Sequence, residues 1–220
     1  MNGNSNIFIK KKILIYGLGK SGQSSLSFLK KKKKKIYLYD DNKKNKFKAN
    51  QIKKISLDAI IISPGIDINK CKLSNYLKEN LDIIYTDLDV FYSFNKNQSI
   101  TITGTNGKST TCKLLYEVLK KQKFDVRLGG NIGKPILSFK KFNKKTLFVI
   151  EASSYQLEYS KLFKSKYAAI LNISPDHLER HKTVQKYVNA KFKLLHNQSK
   201  NSFGLINKND NRIMSKNKKN

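Results

Sequence analysis

Short apolar runs alternate with helical patterns along the first half of the chain. Residues 12–16 and 36–39 are apolar runs, and a helical pattern lies between them. Two more apolar runs follow at residues 58–63 and 82–85. Because short buried strands that alternate with helices form parallel sheets, this half predicts a Rossmann-like α/β domain.

The same alternation restarts after the polar stretch of residues 95–98. We therefore predict one domain over residues 1–94 and a second over residues 95–220, a P-loop-type α/β domain with a mostly parallel sheet. The tail from Asn207 is polar and predicts no closing helix or strand, so the second domain is expected to be incomplete. After its first strand, the predicted strands are residues 124–128, 146–151, 167–173 and 202–206, and the main helices are residues 108–122 and 183–196.

A β-branched apolar strand leads into Gly104-Thr-Asn-Gly-Lys-Ser-Thr110, here called the Gly104 loop. A strand, a glycine-bracketed loop and a helix start form a cradle in which backbone N–H groups face phosphate. Lys108 is predicted to neutralise the terminal phosphates, and the hydroxyl of Ser109 or Thr110 to ligate Mg²⁺. The loop departs from G-x-x-x-x-G-K-[ST], because Ile102 stands where the first glycine belongs. It indicates ATP chemistry; a glycine turn with an incidental lysine is the alternative.

Polar side chains follow two other predicted strands of the second domain. Glu151 ends one strand, and Asp176 and His177 follow the next. Because the carboxyl ends of parallel strands share one edge of a sheet, Glu151 is expected within reach of a nucleotide-bound Mg²⁺. Residues 153–156 are expected to shape the neighbouring pocket. The alternatives are a helix N-cap for Glu151 and an ordinary surface histidine at position 177.

The first domain carries a second glycine-rich sequence, Gly17-Leu-Gly-Lys-Ser-Gly22, here called the Gly17 turn. It follows a predicted strand and precedes a helix, and Asp40 lies about 20 residues further on, a context that favours a nucleotide-type ligand. Because short G-x-G-x-x-G matches arise often, a tight turn with no ligand is the alternative.

Composition narrows the class of protein. The chain has 45 basic and 15 acidic residues and a formal net charge of +30, which first suggests a nucleic-acid partner. Yet only three basic residues are arginines and the lysines are scattered, so codon bias toward Lys, Asn and Ile explains the charge better. Cys71 and Cys112 do not form a zinc-binding pattern. With no signal peptide and no bilayer-length apolar run, we expect a soluble, cytoplasmic protein.

Seven segments spread over most of the chain resemble the Mur ligase family, the ATP-dependent amino-acid ligases of peptidoglycan precursor synthesis. They are the Gly17 turn, Ser63-Pro-Gly65, the Gly104 loop, Gly129-Gly-Asn-Ile-Gly133, Glu151-Ala-Ser-Ser-Tyr-Gln-Leu-Glu158, Leu171-Asn-Ile-Ser-Pro-Asp-His177 and Tyr187-Val-Asn-Ala-Lys191. The fifth is most similar to the branch that adds D-glutamate to UDP-N-acetylmuramoyl-L-alanine.

The resemblance implies roles for these segments. The first domain would hold the UDP end of the precursor through Gly17, Leu18, Gly19, Lys20, Ser21, Asp40, Ser63, Pro64 and Gly65. In the second domain, Asn131, Ser153 and Gln156 would face its sugar and peptide part, and Tyr187 is a further implied substrate-binding residue. ATP would lie on Gly104, Thr105, Asn106, Gly107, Lys108, Ser109 and Thr110, with Ser109, Glu151 and His177 as metal ligands. Lys191 matches the family lysine that CO₂ carbamylates, and it joins Lys108 and His177 as an implied catalytic residue.

The implied reaction begins when the L-alanine carboxylate of the precursor attacks the γ-phosphate of ATP. An acyl phosphate and ADP form, and the D-glutamate amine then displaces phosphate. Family members of this kind are roughly twice as long and carry a C-terminal domain that binds the incoming amino acid. We therefore expect a monomeric N-terminal fragment that binds its ligands without completing ligation, and that has no nucleic-acid or membrane partner.

Three alternatives stay open on sequence grounds. The chain can be a sibling Mur ligase or a folylpolyglutamate synthase-like ligase, which would differ in the substrate that it binds. It can be a basic P-loop ATPase that acts on nucleic acid, which would show steeply salt-dependent DNA or RNA binding. It can also be a non-catalytic remnant that binds nucleotide and never turns over.

Overall fold

The computed structural model describes residues 6–9, 11–32 and 35–217. Contacts divide this part of the chain into two compact units. The first runs to Asn95 and includes Ile136–Ser138, and the second comprises Lys96–Pro135 and the residues from Phe139 onward. Over the described ranges, no helix has the length and apolar character needed to cross a bilayer.

The first unit is built on a four-stranded sheet in the order β2-β1-β3-β4, in which every paired strand is parallel. Its central strand β1 is buried along four of its five residues, because both faces of the sheet are covered. The strands are β1 (Lys12–Tyr16), β2 (Lys35–Tyr39), β3 (Ala59–Ile62) and β4 (Ile84–Tyr85). The helices are α1 (Lys20–Lys30), α2 (Ala49–Lys53), α3 (Ser74–Glu79) and α4 (Asp87–Phe94), with a 3-10 turn at Leu81–Ile83.

A short 3-10 helix, Ile136–Ser138, belongs to this unit although it follows far later in the chain. It packs against α1 and α4. Ile136 and Leu137 are buried there, which removes two large apolar side chains from water. The sequence predicted these residues in the second domain, because they follow the boundary at residue 95. A three-residue apolar segment carries no periodicity that would have indicated its packing partner.

The second unit contains a five-stranded sheet in the order β6-β7-β5-β8-β9, again with only parallel pairs. The strand that precedes the Gly104 loop therefore lies at its centre. The strands are β5 (Ser99–Thr103), β6 (Val126–Gly130), β7 (Leu147–Glu151), β8 (Tyr167–Ile170) and β9 (Phe203–Ile206). The helices are α5 (Lys108–Lys121), α6 (Ser154–Tyr159), α7 (Leu178–His181), α8 (Val184–His196) and α9 (Asn211–Asn217).

Two apolar clusters cover this sheet. Cys112 of α5 packs with Ile102 and Ala169, whereas Tyr187 and Phe192 of α8 pack with Ile170. Because neighbouring residues of a strand point to opposite faces, Ala169 and Ile170 place the two clusters on opposite faces of the sheet. The fold is therefore the α/β arrangement with parallel sheets that the sequence predicted.

Three predicted details of the second unit are wrong. The strand predicted at residues 124–128 is β6, Val126–Gly130. Strand β8 ends at Ile170 and not at residue 173, since Asn172 turns its amide toward the Gly104 loop. The tail does form a closing helix, α9. Asp210 accepts hydrogen bonds from the backbone N–H groups of Arg212 and Ile213 at the start of that helix, and Ile213 is fully buried. One buried apolar residue in a lysine-rich and asparagine-rich stretch gives too weak a periodic signal to indicate a helix.

Candidate active site

The Gly104 loop joins the central strand β5 to helix α5. Gly107 immediately precedes the helix with φ +78°, in the left-handed region that glycine adopts without strain. A Cβ on Gly104 would lie 3.2 Å from Cβ of Leu171. The glycines thus let the loop pass close to the end of β8 before α5 begins.

Asn172 binds the loop through its side-chain amide. Its Oδ1 accepts from the backbone N–H groups of Thr105 at 3.2 Å and Asn106 at 2.9 Å, and its Nδ2 donates to the Asn106 carbonyl at 3.1 Å. Two of the loop amides that the sequence assigned to phosphate therefore have a protein acceptor in this structure. Sequence reasoning gave Asn172 no role, although it lies in a segment that resembles the family.

Two further side chains contact the loop, and Lys108 of the loop itself binds back onto it. The ammonium of Lys191 donates to the Gly104 carbonyl at 2.7 Å, and that of Lys108 donates to the Thr105 carbonyl at 2.6 Å. The Tyr187 hydroxyl lies 3.1 Å from Oγ1 of Thr105. The structure thus brings Lys108, Lys191 and Tyr187 together around one loop, although they are up to 83 residues apart in sequence, from 108 to 191.

The carboxylate of Glu151 lies at the carboxyl end of β7, beside the start of α5. The Ser109 hydroxyl donates to its Oε2 at 2.6 Å, and the Asn131 side-chain amide donates to its Oε1 at 2.6 Å. A hydroxyl oxygen and a carboxylate oxygen are hard donors of the kind that Mg²⁺ prefers. Glu151 and Asn131 therefore form one polar cluster with Ser109, near the end of the Gly104 loop.

Lys191 is only 1% exposed and its Nζ lies 4.5 Å from the centre of the Tyr187 ring. Burial, reinforced by repulsion from Lys108 and opposed by Asp176, lowers the pKa of its ammonium to about 7. An amine with such a pKa is partly neutral, and hence nucleophilic, at neutral pH.

Ser153 and Gln156 cap helix α6 reciprocally. The Ser153 hydroxyl accepts from the Gln156 backbone N–H at 3.2 Å, and Oε1 of Gln156 accepts from the Ser153 backbone N–H at 3.2 Å. This capping box holds both side chains at the helix N-terminus. A structural role for the two residues is therefore visible beside the precursor contact that the sequence predicts.

His177 lies in the loop before α7 with φ +54°, and its side chain is 44% exposed. Its ring packs against Tyr155 with centroids 4.9 Å apart, and its Nε2 is 3.5 Å from Oδ2 of Asp176. Within the described residues, no three His, Cys, Asp or Glu side chains form a group that could hold a metal ion. The structure therefore does not place His177 and Glu151 in one such cluster.

His181 is a buried residue that sequence reasoning missed. Its Nε2 lies 3.0 Å from the Ser154 hydroxyl, and its ring stacks on Tyr155 and packs against Tyr187. It thus connects the start of α6 to α8. A histidine next to an arginine in a polar segment carries no sequence signal of burial.

In the first unit, three strand ends converge on the Gly17 turn. Asp40 accepts the backbone N–H of Leu18 at 2.6 Å, and the Ser63 hydroxyl donates to the Gly17 carbonyl at 2.7 Å. A Cβ on Gly22 would lie 1.9 Å from that carbonyl oxygen, so α1 packs directly on the turn. Of the other predicted contacts, Gly19, Lys20 and Gly65 are exposed, while Ser21 and Pro64 are partly buried.

The two parallel sheets, each with a glycine-rich turn at the carboxyl edge, define an α/β protein built from Rossmann-like and P-loop-type units. A family model described as the Mur ligase middle domain matches residues 102–220. The chain belongs to the Mur ligase family.

Curated relatives narrow the comparison. The UDP-N-acetylmuramoylalanine--D-glutamate ligase of Caldicellulosiruptor bescii is 37% identical over 220 residues, covering 91% of this chain and 48% of the relative. The ligase of the same name from Rickettsia prowazekii is 40% identical over 215 residues, covering 92% of this chain and 47% of the relative. This chain thus spans about half the length of the curated relatives that it matches.

Solved structures agree on the fold. UDP-N-acetylmuramate:L-alanyl-gamma-D-glutamyl-meso-diaminopimelate ligase from Neisseria meningitides matches 96% of this chain and 75% of its own, with TM-score 0.59 and 15% identity. UDP-N-acetylmuramate-alanine ligase MurC from Thermotoga maritima matches 92% of this chain and 50% of its own, with TM-score 0.52 and 17% identity. At these identities the likeness concerns the fold alone.

Proposed function

We propose that this chain binds UDP-N-acetylmuramoyl-L-alanine and ATP as part of a ligase that adds D-glutamate to that precursor. The observation that carries the proposal is the identity of 37 to 40% over nine-tenths of the chain with ligases of that name. The site supports it, because Lys108, Ser109 and Glu151 meet at the carboxyl edge of a parallel sheet, where such folds bind nucleotides.

The proposed reaction has two steps. An oxygen of the L-alanine carboxylate attacks the γ-phosphorus of ATP, the bond from that phosphorus to the bridging oxygen breaks, and ADP leaves with the electron pair. The D-glutamate nitrogen then attacks the acyl carbon, phosphate leaves and the nitrogen loses a proton. Lys108 would exchange its bond to the Thr105 carbonyl for one to a phosphate oxygen and so offset the developing charge.

Mg²⁺ fits the oxygen donors of Ser109 and Glu151 and would supply charge neutralisation at the phosphate oxygens. Asn131 holds the other Glu151 oxygen and so orients the carboxylate. We assign His177 to a second metal position, supported by its exposed imidazole and its place after β8. Asn131, Ser153, Gln156 and Tyr187 are proposed to face the sugar and peptide part of the precursor.

Lys191 is proposed to carry a carbamate. A partly neutral amine at pH near 7 can attack CO₂, lose a proton and become an anion that orients a metal ion. Chain incubated with ¹³C-bicarbonate is expected to show a carbamate carbon by NMR that is missing from Lys191→Ala. An equal signal in both proteins would contradict the assignment.

The UDP end of the precursor is proposed to bind the first unit, along the Gly17 turn, Asp40 and Ser63–Gly65. The close packing of α1 on this turn brings the helix N-terminus to the turn, and a helix N-terminus favours an anionic group such as a diphosphate. The free thiols of Cys71 and Cys112 suit a reducing compartment, which supports action in the cytoplasm, and we propose that the chain acts as a monomer.

Calorimetric titration of UDP-N-acetylmuramoyl-L-alanine into the chain tests the proposed function. We expect saturable binding that survives excess duplex DNA, no binding of folate, and weaker binding of the precursor that lacks L-alanine. Binding of folate in place of the precursor, or loss of precursor binding to DNA, would contradict it. A parallel assay for the D-glutamyl amide tests the prediction that this chain alone does not complete ligation.

A further inference from the structure

Both polar groups of the Asn172 side-chain amide form hydrogen bonds to the backbone of the Gly104 loop. Its oxygen accepts two N–H groups, at 3.2 Å from Thr105 and 2.9 Å from Asn106, and its nitrogen donates to the Asn106 carbonyl at 3.1 Å. At neutral pH, only an amide side chain offers an acceptor with two lone pairs and a donor in one plane. A carboxylate of the same shape would keep the acceptors, lose the donor and add a negative charge.

Asn172 is itself held on both sides. Its backbone carbonyl accepts from Thr105 at 2.9 Å, and the preceding residue, Leu171, donates to the Thr103 carbonyl at 3.0 Å. The backbone N–H of the following residue, Ile173, donates to Oδ2 of Asp210 at 2.7 Å. The amide therefore extends from a fixed segment of backbone, as a positioning group requires.

We propose that Asn172 is a positioning residue, which holds Thr105 and Asn106 of the Gly104 loop so that the start of α5 is ready to receive the phosphates of ATP. Asn172 already accepts the backbone N–H groups of Thr105 and Asn106. The phosphates would therefore bind the backbone N–H groups of the first turn of α5 and the ammonium of Lys108. A loop fixed before binding loses less conformational freedom when the nucleotide arrives, which increases affinity. The nucleotide part of this inference rests on the proposed function; the loop-holding part does not.

Hydrogen exchange in the ligand-free chain tests the loop-holding part. In Asn172→Ala, the Asn106 amide loses its acceptor and is expected to exchange at least about tenfold faster than in the wild type. The Thr105 amide is expected to change less, because it keeps the backbone carbonyl of Asn172. Unchanged exchange at Asn106 would overturn the proposal. The control is Asn189→Ala, an exposed asparagine whose side chain accepts from Gln185 on the surface of α8.

Titration with ATP and Mg²⁺ tests the nucleotide part. We expect Asn172→Ala to weaken ATP binding about tenfold, with precursor binding and the thermal midpoint close to those of the control. ATP binding equal to or tighter than that of the wild type would overturn the positioning role. It would mean that the loop binds phosphate at least as well when its amides are released from Asn172. If the wild-type chain binds no ATP while Asn106 exchange still rises, the proposed function fails and the loop-holding contact stands.

Asn172→Asp separates this role from mere packing. At pH near 8 its carboxylate is expected to weaken ATP binding more than alanine does, because it repels the phosphates. At pH near 5 a growing protonated fraction regains an O–H donor, so affinity relative to the wild type at the same pH is expected to recover. A constant ratio between the two pH values would count against the hydrogen-bonding role.

Discussion

The side chains that contact the Gly104 loop mostly bind its backbone. Asn172 holds Asn106, Lys191 holds the Gly104 carbonyl and Lys108 folds back onto the Thr105 carbonyl. Backbone contacts of this kind fix where the loop runs, whatever side chains the loop carries. Lys108 differs from the other two, because the proposed reaction requires it to leave its carbonyl for a phosphate oxygen.

His181 is expected to make stability depend on pH. Burial, and secondarily Arg180, lower the pKa of its imidazole to about 4. Because the unfolded chain then binds more protons between about pH 6.5 and pH 4, the free energy of unfolding should fall across that range as the pH falls. The contribution lost is roughly 2 to 3 kcal/mol.

Urea unfolding of the wild type and of His181→Phe at several pH values checks this expectation. Phenylalanine keeps a ring against Tyr155 and Tyr187 and cannot be protonated, so its stability should fall less steeply below about pH 6.5. Parallel pH profiles for the two proteins would show that His181 does not titrate as described.

At the scale of single residues, the sequence identified those site residues that lie at or just after the end of a strand. Ser109 and Glu151 meet because Glu151 ends β7 and Ser109 comes after β5, and these neighbouring strands are parallel, an arrangement that a pattern of strands predicts. Asn172 and His181 were missed because their roles depend on hydrogen bonds and stacking between distant segments. Asparagine is abundant in this chain, so its residue type alone singles out no position.

Elements were predicted well where the hydrophobic pattern was long. Helix α8 and strands β1 and β7 lie within a residue of their predicted bounds, because several buried positions specify each. The short pieces were harder to predict. Strand β8 is three residues shorter than predicted, and α9 has a single buried residue with a side-chain cap at Asp210.

Helix α1 and the residue before it offer a matched pair of glycines, Gly22 and Gly19, for testing the Gly17 turn. Gly22→Ala would place Cβ 1.9 Å from the Gly17 carbonyl oxygen, whereas a Cβ on Gly19 meets nothing within 4 Å. Because the clash is with backbone, we expect Gly22→Ala to destabilise the chain by about 2 kcal/mol or more, with Gly19→Ala close to the wild type. Thermal melts of the three proteins measure this, and equal midpoints for the two variants would contradict the close packing of α1.

For the molecule as a whole, the large net positive charge is a property that the fold does not require. The net charge of +30 comes from 45 basic against 15 acidic residues, and its repulsion opposes the compact state. Salt screens that repulsion, so urea midpoints are expected to rise between about 0.05 and about 0.5 M KCl. Midpoints that stay level or fall would mean that local ion pairs offset the repulsion.

The two units are alike in design: each is a parallel sheet with a glycine-rich turn at its carboxyl edge. That repetition could be predicted from the alternation of strands and helices. The membership of Ile136–Ser138 in the first unit could not, because it depends on packing between segments that are distant in the sequence. In the account proposed here, the second unit supplies the ATP chemistry.

The most direct test of that claim is calorimetric titration of ATP with Mg²⁺ into the wild-type chain, Lys108→Ala and Lys113→Ala. Lys113 is an exposed lysine of the same helix and serves as the matched control. We expect saturable binding to the wild type and to Lys113→Ala, and affinity at least about tenfold weaker in Lys108→Ala, because a charge-assisted phosphate contact is lost. Equal affinity in all three proteins, or no binding to the wild type, would contradict the account.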